Sequence, residues 1–159
     1  MKITVIAVGK IKEKYLKDAL AEYSKRLSRY CRLEILEAAD EKTPDNASET
    51  VERQIRQKEG ERIRKLMKAD AYTIALAIDG NMLSSEKFSE KIETLGVQGI
   101  SHIQFLIGGS IGLDETLLKE ADYRLSFSKM TFPHQLMRVI LLEQIYRGYR
   151  IMAGEPYHK

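Results

Sequence analysis

Short apolar runs rich in β-branched residues, each followed by a stretch with apolar residues at helical spacing, leave this chain few architectures. Ile3 to Val8 is such a run, closed by Gly9, and reads as a buried first strand. Tyr15, Leu16, Ala19, Leu20, Tyr23 and Leu27 then recur at helical spacing between Glu13 and Tyr30, with charged residues on the other face. Arg32 to Ala38 predicts a second strand, and Ala39 to Ser48 a polar loop around Pro44, Asp45 and Asn46. Glu49 to Lys68 is a charged helix that Gly60 weakens in its middle. Ala71 to Ile78 is the third strand, ending in the turn signal Asp79-Gly80. Ser84 or Ser85 caps a helix to about Leu95, with Glu86 in its first turn. Ser101 to Ile107 is the fourth strand, followed by a short helix over Asp114 to Glu120 and a short strand over Tyr123 to Ser126. Pro133 opens a long helix to about Ala153, and Glu155 to Lys159 form a tail outside it. This alternation predicts an α/β fold, a parallel-type sheet covered on both faces, in one domain over residues 1–159. Ligands in such sheets sit beyond the carboxyl ends of the strands, which puts Gly80, Gly108 and Ser126 to Phe132 on one rim.

Composition narrows the class. With 43% hydrophobic and 31% charged residues the chain can bury a core and is not of the disordered type. No apolar run approaches the ~20 residues that span a bilayer. The chain opens directly on its first strand rather than on a secretory leader, and its single cysteine, Cys31, suits packing in a reducing, cytoplasmic compartment. His102, His134 and His158 match no metal-binding spacing, so no metal is expected. Net charge is only +3, but from Arg124 onward six basic residues (Arg124, Lys129, Arg138, Arg147, Arg150, Lys159) face two acidic ones, Glu143 and Glu155. A positive C-terminal segment on an otherwise balanced chain can focus an attractive field on a polyanion.

Two stretches can carry chemistry. Gly108-Gly109-Ser110-Ile111-Gly112 follows a strand and precedes a helix, so its glycines allow positive φ and a close approach of ligand to backbone. No Lys-Ser or Lys-Thr follows it and the GxGxxG spacing is incomplete, which demotes nucleotide-phosphate readings. The last helix is apolar almost all round, through Met137, Val139, Leu141, Leu142, Ile145, Tyr149 and Ile151, and so calls for burial on most sides, with a subunit interface as one means. Leu136, Ile140, Glu143 and Arg147 share one stripe of it, making Glu143 and Arg147 a polar pair in apolar company, either a brace or part of a site.

The opening MKITVIAVGK, the turn LIGGSIG, the stretch LSFSKMTFPHQLMRVILLEQIYRGYRI and the ending PYHK together resemble the RlmH family, large-subunit ribosomal RNA methyltransferases of the SPOUT superfamily. The likeness covers essentially the whole chain. It implies an α/β knot, with a deep trefoil knot at the C-terminal end that periodicity does not reveal. It further implies a homodimer that uses S-adenosyl-L-methionine to methylate N3 of a pseudouridine in helix 69 of 23S ribosomal RNA, on assembled ribosomes. The family's cofactor positions fall on Leu76, Gly108, Phe127, Ser128, Lys129, Met130, Thr131 and Phe132, and its active-site positions on Glu143, Arg147, Tyr157 and His158. Among these, His158 is the leading base for the N3 proton and Arg147 the stabiliser of charge developing on the ring, with Glu143 orienting Arg147 or serving as the base itself. Arg124, Lys129, Arg150 and Lys159 are the candidate phosphate contacts. The competing class is a non-catalytic, ribosome-associated RNA-binding protein whose glycine turn is only structural.

Overall fold

The structure, a computed structural model, describes residues 1–159. Five strands, β1 (Lys2–Val8), β2 (Arg32–Ala38), β3 (Tyr72–Met82), β4 (His102–Ile107) and β5 (Tyr123–Ser126), form one sheet in the order β2-β1-β4-β3-β5. Every pairing in it is parallel. The connections are α1 (Lys14–Leu27), α2 (Glu49–Leu66), α3 (Ser85–Val97) and α4 (Glu115–Glu120), and α5 (His134–Met152) closes the chain. Parallel strands need such crossovers, and burial on both faces is why β1 and β4 are apolar almost throughout.

The period-two alternation of β1 sorts the core into two layers. Ile3, Val5 and Ala7 join Leu27 of α1, Phe88 and Ile92 of α3, and Leu141, Leu142 and Ile145 of α5 on one face. Ile6 and Val8 join Ile63 of α2 and Leu117 of α4 on the other. Cys31 belongs to the first layer, where burial pushes its thiol up to about 11, in keeping with a packing role.

Three local expectations are corrected. Gly60 does not interrupt α2, because it packs where a Cβ would stand 3.0 Å from the Asp114 Cβ at the head of α4, so tertiary contact offsets the low helix propensity. Asp79-Gly80 does not end β3. Leu76 and Asn81 both stand opposite Leu125 of β5, so Ala77 to Gly80 form a wide bulge and the strand resumes to Met82. Pro133 flanks α5 at its N-cap, with non-helical φ −54° and ψ 129°, rather than occupying its first turn.

At the rim, Arg138 of α5 fixes the helix across the strand ends. It is 1% exposed, ion-paired with Glu37 at the end of β2, and donates to the Gly9 carbonyl at 2.7 Å. Burial works against the charge on Glu37, but the bonds from Arg138 and the Ile11 N–H outweigh it and hold this carboxyl below its usual range.

Candidate active site

A cavity of about 890 Å³ opens at the carboxyl ends of the strands, between the glycine turn, the β3 bulge and the loop from Phe127 to Pro133. Leu76, Gly108, Phe127, Ser128, Met130, Thr131 and Phe132 all line it. Lys129 alone of the expected cofactor positions does not; it is exposed on the outside of the loop. The loop is held by short-range bonds: the Ser126 hydroxyl donates to the Ile78 carbonyl of the bulge at 2.8 Å, and the Met130 N–H donates to Ser128 Oγ at 2.9 Å.

The glycine turn has two requirements, and only one matches the expectation. Gly112 adopts φ +88°, which favours glycine, and has open space where a side chain would stand. Gly108 has no positive φ; a Cβ on it would lie 2.5 Å from the Gly112 carbonyl carbon. Glycine is required there because the turn folds against itself through the Gly109–Gly112 bridge.

A second cluster lies further along α5. Arg147 donates to Glu143 through Nη2 at 2.8 Å and through Nε at 3.4 Å, so the i,i+4 pair expected from sequence is formed. The tail turns back onto it. Tyr157 donates its hydroxyl to Glu143 Oε1 at 3.0 Å, and its ring lies under the Arg147 guanidinium at 4.7 Å. Burial first, then the bond to Glu143, pushes the Tyr157 phenol up to about 12. Arg147 Nη1 is 3.1 Å from His158 Nδ1, which can only accept from a guanidinium, so the imidazole proton sits on Nε2 and points to Glu86 Oε1 at 2.6 Å. Chain termini are ordinarily loose unless tied down; here Arg150 fastens the tail, bonded to Glu155, the Pro156 carbonyl and the Tyr30 hydroxyl. Arg150 is thereby spent, and Arg138 is interior. Arg124, Lys129 and Lys159 are exposed and carry no ion pair.

The two clusters are separate within one chain. His134 and Met137 reach the cavity, but Arg147 lies about 15 Å further along the helix axis than Met137. None of Glu143, Arg147, Tyr157 or His158 lines the cavity. Sequence reasoning missed His134, Glu86 and Arg56: the first is a lone histidine, the second meets His158 from 72 residues away, and the third looked like one more charge on a charged helix. No group of three His, Cys, Asp or Glu residues is placed to hold a metal ion, and no helix is long and apolar enough to cross a membrane.

Comparison with known proteins agrees along the full length. A family model described as "Predicted SPOUT methyltransferase" matches residues 1–158. The chain is 70% identical over 159 residues to a Bifidobacterium adolescentis protein named ribosomal RNA large subunit methyltransferase H, covering 100% of both chains. It is 62% identical, again over 100% of both, to the Clostridium kluyveri protein of the same name. Among solved structures, a probable methylase family protein from Haemophilus influenzae shares the fold, with a TM-score of 0.57 at 12% identity over 99% of this chain and 70% of that one.

Proposed function

The chain belongs to the SPOUT methyltransferase family, and from that premise we propose that it methylates ribosomal RNA, at N3 of a pseudouridine in helix 69 of the 23S molecule, as a homodimer acting on assembled ribosomes. The observation that carries this reading is the separation of an apolar cavity from a polar, tail-built cluster on one helix, which a second copy of the chain would bring together. The unpaired part of α5 offers a surface for that copy: Leu136, Val139 and Ile140 remain partly exposed on the single chain. The trefoil knot belongs to the same reading.

The cavity fits S-adenosyl-L-methionine. Leu76, Ile107 and Phe127 provide apolar walls, Gly112 leaves its backbone bare, and Glu52, Asp79 and Glu115 supply carboxylates suited to a cation and to ribose hydroxyls. When bound, the cofactor supplies an electrophilic methyl group on a sulfonium. The chain's own residues do the rest. The loop from Phe127 to Phe132 excludes water and, with Leu76 and Gly108, sets the approach line on which an in-line displacement depends. Arg147, oriented by Glu143 and stacked on Tyr157, turns its Nη1 to one of the exocyclic carbonyl oxygens that flank N3 of the pyrimidine and stabilises negative charge as N3 loses its proton. That movement releases the lone pair on His158 Nδ1, which takes the N3 proton, while Glu86 stabilises the imidazolium through Nε2. Glu143 already accepts bonds from Arg147, Tyr157 and Gln144, which favours its orienting role over that of base. Arg124, Lys129 and Lys159 remain for RNA phosphates.

Incubating the protein with ribosomes and methyl-labelled cofactor tests the reading. Label on a single pseudouridine of 23S RNA is expected. Ribosome binding with neither cofactor affinity nor transfer would overturn it in favour of a non-catalytic binding protein.

A further inference from the structure

Arg56 is the only lysine or arginine that lines the cavity, against the three carboxylates of Glu52, Asp79 and Glu115. Its position is fixed by close packing on either side of the turn. A Cβ on Gly60, one helical turn further on, would stand 3.0 Å from the Asp114 Cβ, and a Cβ on Gly109 would lie 3.3 Å from Glu59 Oε1. Helix α2 is thus pressed onto the glycine turn, and Arg56 stands over Ile111.

Its bonding is meagre. The guanidinium reaches the Ile111 carbonyl at 3.5 Å and Glu52 at 3.9 Å, both at the far edge of useful contact, although the side chain is only 20% exposed. Arg138, Arg147 and Arg150 each hold several close partners. A planar group with five donors, held at a cavity wall with one long bond, is arranged to receive a planar anion.

We propose that Arg56 binds the carboxylate of the amino-acid end of S-adenosylmethionine in a bidentate pair and so makes the cavity selective for adenosyl sulfonium compounds that carry that carboxylate. The inference rests on the cofactor reading above. The cofactor has one carboxylate and the cavity one fixed cation, whereas a phosphate chain would ask for more donors than this wall offers.

Calorimetric titration of the wild-type protein with S-adenosylmethionine and with its decarboxylated analogue tests this without any folding question. The wild type should bind the analogue about 10- to 100-fold more weakly. Arg56→Met should bind both ligands alike, at the affinity the wild type shows for the analogue, and Arg56→Lys should recover part of the preference. Equal binding of both ligands by the wild type would overturn the proposal, as would Arg56→Met that keeps the preference or loses only affinity for ribosomal RNA. A wild-type protein that binds neither ligand would instead remove the cofactor reading itself.

Discussion

At its first turns α5 meets the cavity through His134 and Met137, and the walls opposite are carried by three backbone segments: the glycine turn, the β3 bulge and a loop held by Ser126 and Ser128. Two to three turns later the same helix presents Glu143 and Arg147, and everything assembled around them is side chain, from Tyr157 and His158 of the tail to Glu86 of α3. A cavity shaped by folded backbone segments fails when the backbone is forced. A side-chain cluster fails group by group, because each member holds the next.

The sharpest way to break this comparison is to cut the cluster. His158→Ala should lower turnover about 100- to 10,000-fold while cofactor affinity stays within about 2-fold, as single-turnover kinetics and calorimetry would report. Arg147→Lys should fall in the same range, since an ammonium cannot replace the fork that spans Glu143 and His158. Equal loss of cofactor binding in either variant would merge the two regions into one site. Next in size, Gly108→Ala should cost about 2–3 kcal/mol in denaturant unfolding and weaken the cofactor in step, because the added methyl meets the Gly112 backbone. A stable Gly108→Ala protein would mean that the turn is softer than its geometry implies.

The smallest expected effect concerns pH. Burial, and then the neighbouring Arg138, holds the His134 imidazole below its ordinary 6.5. The unfolded chain therefore binds the proton first as pH falls, so stability declines from about pH 6.5 downward and levels off below the folded-state value. His102 is depressed too, by burial and then by Lys2, and acts with the same sign. His134→Asn should make the decline between pH 7.5 and 5.5 shallower in denaturant titrations; an unchanged slope would mean that His134 takes up its proton freely at the cavity wall.

How much of this was legible depended on the distance over which each signal acts. The strands and helices followed from periodicity because each side chain's face is set within a few residues, and the Glu143–Arg147 pair followed because its spacing is one helical turn. Asp79-Gly80 carries the same local signal at a strand end and in a bulge, and the choice is made by β5, which pairs across it. Gly60 weakens a helix in isolation and tightens one against Asp114. The docking of the tail has no local signal, because its anchors, Tyr30 and Glu86, lie 125 residues from Glu155 and 72 from His158. Arg150 looks like an RNA contact, and Arg138 like one more charge of a basic segment, until their remote acceptors, Tyr30 and Glu37, are brought to them.

The strand order also governs how the chain reaches this state. β1 pairs with β2 as soon as residues 32–38 are available, but its other edge must wait for β4, whose His102 stands opposite Lys2, and β4 then fills the gap between β1 and β3. No strand has a hairpin partner, so every pairing closes a long loop before it gains a contact. Folding should therefore be slow for a protein of this size, with an apolar β1 edge open until β4 inserts. Crowding during synthesis acts on that interval, when the half-formed sheet is a template for strands from other chains.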